Sequence, residues 1–366
     1  MVPSVERLLL GPGPSPVAPR VQRAMAAPVL SHLDPALVAI LDNIRERLRY
    51  VFGGADDAFT FAVSGTGTAG METAIANATR PGVRATVVVN GYFGDRLAQI
   101  LARYGATVSR VSAEWGRAAD PDALSQSLRE NGADIVALVH AETSTGVLNP
   151  VADLCGIAAR HGALTIVDAV TSLGAHPVKT AEWGCDICYS CTQKGLGAPS
   201  GLAPIAFSRR AQDSCQRSGA AVSFYFDLAL LKGYWIDRKY HHTISAPLIY
   251  ALSEALDVVV EEGLTARGQR HRDNHQRFAA GLADLGLALL PPPDERLWSL
   301  NAVVVPADVD EARVRREFLE ERSIEIGAGL GPLAGKIWRV GLMGSGSTAE
   351  NVDLLLDTYR SVLRGA

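Results

Sequence analysis

No stretch of this chain is apolar for long enough to span a bilayer, which takes about 20 residues as a helix, so no membrane partner is expected. Basic charge is not in excess either. The formal net charge of −4 gives no electrostatic reason to bind nucleic acid or an anionic surface. The opening Met1-Val2-Pro3-Ser4-Val5-Glu6-Arg7 lacks a basic region followed by an apolar run, so a secretory signal is not expected. Leu363-Arg364-Gly365-Ala366 is not a peroxisomal address. Five cysteines, an odd number in a chain this long, do not make a disulfide framework. Together these absences point to a reducing, cytoplasmic setting.

What is present is ordinary for a globular protein: 366 residues, 48% hydrophobic and 20% charged. That length exceeds what one core usually supports, so a large domain and a smaller one are expected. Residues 1–20, with Gly11-Pro12-Gly13-Pro14, read as an extended N-terminal arm. Residues 21–262 alternate β-branched runs with helical stretches. The runs include 85–89, 135–139 and 164–167, and the helical stretches include 96–104 and 122–130. Continuous apolar strands between amphipathic helices predict an α/β domain with a mostly parallel sheet covered on both faces. Residues 263–366 begin with a long polar helix at about 266–285. Strand-like runs at 300–305 and 337–340 and helices at 310–321 and 349–363 follow, which suits a smaller α+β C-terminal domain.

Three short segments carry chemistry. Ser64-Gly65-Thr66-Gly67-Thr68-Ala69-Gly70 is a small, glycine-broken loop that runs into a helix, where free amides and the helix N-terminus can cradle a phosphate. The same loop could serve only as a tight turn and cap. Its spacing matches neither the nucleotide P-loop nor the dinucleotide fingerprint. Asp168 ends a buried strand, where it could pair with a pyridinium nitrogen or cap the next element. Lys194 lies among small and polar residues in Thr192-Gln193-Lys194-Gly195-Leu196-Gly197, either a structural loop lysine or an amine able to attack an aldehyde. A phosphate-type loop, then a strand-end aspartate, then a lysine is the order found in fold-type I pyridoxal-phosphate enzymes.

The chain resembles the class V aminotransferases, and within them the alanine–glyoxylate and serine–pyruvate group. The resemblance rests on Leu8 to Ser15, Glu142-Thr143-Ser144-Thr145-Gly146-Val147-Leu148, Asp168, Gln193-Lys194 and Tyr240-His241-His242-Thr243. It continues through Ile324-Glu325-Ile326, Gly329 to Lys336 and Trp338 to Gly344, and so covers nearly the whole chain. It implies a seven-stranded sheet domain and pyridoxal 5′-phosphate as cofactor. It implies transfer of an amino group from a small amino acid (alanine or serine) to a small 2-oxo acid (glyoxylate or pyruvate). Lys194 would hold the cofactor as a Schiff base and Asp168 would face its ring nitrogen. Thr66, Gly67, Thr68 and Gln193 would bind its phosphate, with Phe93, Thr143 and Val170 around it. Tyr240 and Thr243 would reach the phosphate site of a second copy, making a homodimer with shared active sites. Gly13 would help hold the substrate, and Arg339 would clamp its carboxylate. Arg339 also interrupts an apolar run, which is costly for a charge unless it is paired; a buried ion pair is the other reading.

Two positions depart from the family pattern. Phe93, in Asn90-Gly91-Tyr92-Phe93-Gly94, stands where relatives often place tryptophan, and Thr68 stands where some carry histidine. Donor choice is expected around Phe93, Tyr225, Ser245 and Met343. Other same-fold activities compatible with the sequence are transamination of 2-aminoethylphosphonate or ureidoglycine, a lyase or desulfurase, and a silent cofactor-binding protein. Desulfurases use a mobile cysteine, and none lies in a glycine-rich loop here. A silent relative is expected to have lost one of Asp168, Lys194 and Arg339. Cys185, Cys188 and Cys191 have a cluster-like spacing but read as small core residues of a buried strand, so no metal is expected. His241, His242, Trp183 and Trp235 read as packing residues.

Overall fold

The structure, a computed structural model, describes residues 5–364. The first four residues of the arm and the last two of the chain lie outside them. A seven-stranded sheet organises the larger part. Its strands lie in the spatial order Phe59–Ser64, Leu202–Phe207, Ile187–Tyr189, Leu164–Asp168, Ile135–Val139, Arg84–Val89 and Thr107–Ser112. Only Leu202–Phe207 runs against the others, so the sheet is mostly parallel. Every residue of Ile135–Val139 is buried, as expected of a strand with helices on both faces.

From Arg84–Val89 the chain moves to one sheet edge, and from Ile135–Val139 it moves towards the other. These two strands are neighbours, so the topological switch lies between them. The crevice beyond their carboxyl ends is where such sheets bind ligands.

Several elements extend past the sequence expectation for identifiable reasons. The helix expected at 96–104 runs Tyr92–Arg103, because the buried Glu142 carboxylate accepts the amides of Phe93 and Gly94 at its start. Pro121 at the first helical position carries the next helix through Pro121–Asn131. Helices Ala246–Glu262 and Leu264–Asp284 are separated by Gly263, whose φ of +78° is open to glycine without a Cβ penalty. Pro35–Phe52 is a further helix; it starts at an Asp34 side-chain cap and ends on left-handed Gly53.

A second apolar core gathers Phe278, Phe318, Trp338 and Tyr359 between a small sheet and the helices Leu264–Asp284, Glu311–Arg322 and Ala349–Arg364. The N-terminal arm reaches this core. Leu10 is buried in it, and Leu8–Leu9 pairs in parallel with Ile324–Glu325. The arm's last residues are already helical, since Pro19–Met25 is a short helix.

Where the two cores meet, buried histidines serve as neutral connectors. His271 Nδ1 lies 2.7 Å from the Arg267 carbonyl, which can only accept, while Nε2 accepts the Gly344 amide at 3.1 Å. Those partners define one neutral tautomer, and protonation would set donor against donor. His176 accepts the Trp298 amide at 2.8 Å, and His275 meets Asn301 at 2.7 Å. Burial pushes His271 down to about 3 and His140 down to about 4, and holds His176 and His275 below the usual value.

A histidine with a depressed folded pKa favours folding when neutral. Its contribution is complete above the unfolded value of about 6.5 and is lost as pH falls towards the folded value. The buried carboxyls of Asp168, Glu142 and Glu325 are shifted up and act in the opposite sense, so one variant must isolate the effect. His271→Gln is expected to be about 1–3 kcal/mol less stable than the parent near pH 7.5. That gap should narrow steadily as urea unfolding is repeated down to about pH 4. A gap independent of pH would refute this account of the seam.

Candidate active site

The chemistry-bearing residues of the large sheet sit just past the carboxyl ends of its strands. Phe59–Ser64 leads into the loop that ends in helix Gly67–Ala78. No side chain caps this helix at Thr66, and the Gly67 and Thr68 amides have no acceptor among the described residues. They form an anion-ready N-terminus. Space at Gly67 is tight, because a Cβ there would lie 3.0 Å from a Val170 methyl.

Asp168 closes its strand and is buried. One oxygen accepts the Val170 amide at 2.8 Å and the other accepts the Tyr189 hydroxyl at 2.7 Å. The residues after it form a turn rather than a helix, so the aspartate pins a turn and still lines a cavity. Burial lifts its carboxyl to about 6 against the pull of those two hydrogen bonds.

Lys194 follows the Ile187–Tyr189 strand and is half-buried. Its amine donates to the Pro12 carbonyl of the arm, and burial holds its pKa below the ordinary lysine value. Gly13 lies against it: a Cβ at Gly13 would sit 2.5 Å from Lys194 Nζ. A lysine without a carboxylate partner within ion-pair distance, its pKa lowered by desolvation, is suited to act as a nucleophile.

A cavity of about 210 Å³ joins these groups, with Phe93, Thr143 and Val170 among its walls. A larger cavity of about 780 Å³ near Phe224 and Leu230 lies elsewhere, and size does not choose between them. Only the smaller brings together a desolvated amine, a buried carboxylate and an uncapped helix start. Thr143 Oγ1 is 2.5 Å from Thr171 Oγ1. The Gln193 side-chain oxygen is buried without a partner.

Arg339 lies on the Ile337–Gly341 strand of the small sheet. Its Nε donates to the Ala328 carbonyl at 2.6 Å, and Nη1 reaches the Thr143 carbonyl at 3.5 Å. No carboxylate lies within ion-pair distance of it among the described residues, so the buried-ion-pair reading finds no partner. Burial lowers its pKa to about 10. Such a guanidinium is open to a ligand carboxylate.

Tyr240 and Thr243 are not brought into this cavity. Both are exposed on the same chain's surface, Tyr240 against the His32 ring. Among the suggested donor-choice positions only Phe93 lines the cavity. Met343 is buried beside Leu297 and Leu300, while Tyr225 and Ser245 face elsewhere. His242 Nε2 pairs with Ser64 and His241 with the Tyr225 carbonyl. All five cysteines are free and buried.

Sequence reasoning overlooked Tyr189, Cys191, Met71 and Arg96, all at or beside the cavity. It also overlooked the role of Glu142, which accepts amides from Phe93, Gly94 and Ser144 and the Ser144 hydroxyl at 2.6 Å. Only the position of Tyr189 at the end of an adjacent parallel strand could have signalled its reach to Asp168.

Residues 20–355 match the family model for aminotransferase class V. The fold superposes on an alanine–glyoxylate aminotransferase from Nostoc sp. with a TM-score of 0.96 and 45% identity, covering 99% of this chain and 97% of that one. It superposes equally, at 0.96, on a ureidoglycine–glyoxylate aminotransferase from Bacillus subtilis, with 38% identity over 99% of this chain and 94% of the other. An alanine–glyoxylate aminotransferase of Drosophila melanogaster is 36% identical over 100% of this chain and 94% of its own length.

Pyridoxal 5′-phosphate is the cofactor of this family. The residues present fit it: free amides and hydroxyls at a helix N-terminus, a buried strand-end carboxylate and an amine with a lowered pKa.

The balance at Asp168 is directly measurable. In the cofactor-free protein its carboxyl band, isolated by infrared subtraction of Asp168→Asn, should titrate near about 6. Tyr189→Phe removes a hydrogen bond to the ionised form, so it should move that midpoint upwards. A midpoint in the ordinary range of about 4, or one insensitive to Tyr189→Phe, would contradict the assignment.

Proposed function

The chain belongs to the class V aminotransferases, a pyridoxal-phosphate-dependent transaminase moving amino groups between small amino and oxo acids, and on that premise we propose how its residues divide the work. The observation that carries the proposal is the meeting of Lys194 and buried Asp168 in one cavity, with no carboxylate within ion-pair distance of Arg339 among the described residues.

When bound, pyridoxal phosphate supplies an aldehyde carbon for the substrate nitrogen and a ring that draws electrons from the substrate α-carbon. Lys194 would hold it covalently through its amine, as a lysine with a lowered pKa is suited to do. Thr66, Gly67, Thr68 and Gln193 hold the phosphate, and Phe93, Thr143 and Val170 confine the ring. Asp168, braced by Tyr189, holds a proton on the ring nitrogen. Arg339 takes the substrate carboxylate in a two-pronged grip, with Gly13 leaving room beside Lys194. Lys194, when not bonded to the cofactor, would be placed to take the proton from the substrate Cα and deliver it to the former aldehyde carbon, and to run the transfer in reverse with the oxo acid, as a positioned base and acid.

The donor we favour is alanine or serine and the acceptor glyoxylate or pyruvate, in keeping with the Nostoc and Drosophila relatives. Ureidoglycine is the second reading, favoured by the equally close superposition on the Bacillus enzyme. The exposure of Tyr240 and Thr243 supports a homodimer in which each reaches the partner's phosphate site, since neither serves its own cavity. Five buried free thiols support a reducing cytoplasmic setting.

Adding alanine, serine or ureidoglycine singly to the holoenzyme, without acceptor, should bleach the visible cofactor band for the true donor only. No change with any of them would remove this donor class. Lys194→Ala should lose about 10²- to 10⁴-fold in turnover. Arg339→Gln should lose about 10- to 100-fold in kcat/KM for the amino acid while cofactor affinity is kept. Equal loss of both would show that Arg339 serves the cofactor instead.

A further inference from the structure

Charge in the cavity is unevenly shared. Of the residues that line it only Arg96, Asp168 and Lys194 are ionisable as strong acids or bases. The loop at Thr66-Gly67-Thr68 offers amides and hydroxyls but no cation. Lys194 is committed to anchoring the cofactor in the reading above, so its charge is not free to answer a phosphate. That leaves Arg96, one helical turn beyond Phe93.

Arg96 is held from two sides. Its guanidinium carbon stands 4.9 Å from the centre of the Phe93 ring and 5.2 Å from that of Tyr92. Its Nη1 donates to Thr68 Oγ1 at 3.1 Å. No carboxylate lies within ion-pair distance of it among the described residues. The bond to Thr68 has a directional consequence. A threonine hydroxyl carries one proton and accepts through its lone pairs. Because the oxygen here accepts from Arg96, the proton is left to donate elsewhere, and the amide-rich helix start beside it is where an anion would sit.

Resting on the assignment of this cavity to pyridoxal phosphate, we propose that Arg96 is the charged member of the phosphate cradle, acting through Thr68 while bracing Phe93. The guanidinium polarises the Thr68 hydroxyl and turns its proton towards the phosphate, so a neutral-looking loop gains a charge-assisted donor. Arg96 is therefore a positioning residue. The ring wall and the phosphate loop, which belong to different helices, are tied to one side chain.

The test compares two probes, pyridoxal phosphate and phosphate-free pyridoxal, bound to the cofactor-free protein and followed by quenching of tryptophan fluorescence. Arg96→Gln is expected to weaken pyridoxal phosphate by about 10- to 100-fold and to leave pyridoxal nearly unchanged. The penalty of Arg96→Gln should largely vanish in a Thr68→Val background, because the two side chains act as one unit. Arg96→Lys should recover part of the affinity. Equal weakening of both probes would overturn the proposal, since Arg96 would then only buttress the Phe93 wall; no weakening of either would overturn it as well. Thermal midpoints of the cofactor-free variants guard against misfolding. If Arg96→Gln does not fold, the same two-probe comparison on Arg96→Lys and Thr68→Val decides. A parent protein that binds neither probe and shows no visible band would instead remove the cofactor reading on which the proposal stands.

Discussion

Holding charged groups away from solvent without pairing them off is the constraint that orders this molecule. Arg339 is buried and Lys194 half-buried, and neither has a carboxylate within ion-pair distance among the described residues. Such groups cost free energy unless the fold is stable enough to carry them or a ligand completes them. The protein meets part of this cost with backbone carbonyls: Pro12 for Lys194, and Ala328 for Arg339. Carbonyls stabilise a cation without neutralising it. The positive charge therefore remains available to an anionic substrate and cofactor.

The same constraint explains why the N-terminal arm crosses the molecule. Leu10 is sunk in the small core, Pro12 meets the lysine amine, and Gly13 packs where no side chain would fit. Ser15 donates from its backbone to the Gln193 carbonyl at 2.9 Å and from its hydroxyl to the Lys194 carbonyl at 2.8 Å. The arm thus links the Lys194 loop to the strand segment Ile324–Glu325. Arg267 does related work from below, holding the Gly174 and Gly195 carbonyls at 2.7 and 2.8 Å with Glu262 as its counter-ion. A loop fixed from both sides keeps the Lys194 amine in register with the opposite walls.

Much of this was readable before any coordinates. Strands such as Ile135–Val139 announce themselves as unbroken apolar runs, and Asp168 stands out as a carboxylate at the end of one. Lys194 stands out by its small, polar company. Arg96 did not, because on an amphipathic helix an arginine next to an aspartate looks like a solvated face. Glu142 was legible only as part of a motif. Its task, capping the helix that carries Phe93, depends on a loop some fifty residues away in sequence.

Residue order and type by themselves determined the α/β class, the mostly parallel sheet and the family, since hydrophobic period and spaced motifs are local properties of the chain. Only the tertiary structure decided which charges are buried, which are paired and which are left open. Burial and distance between remote segments set those, and neither is written in local sequence. The guanidinium of Arg339 became an unpaired cation, and Arg96 a partner of Thr68, only once separate strands and helices had been packed together.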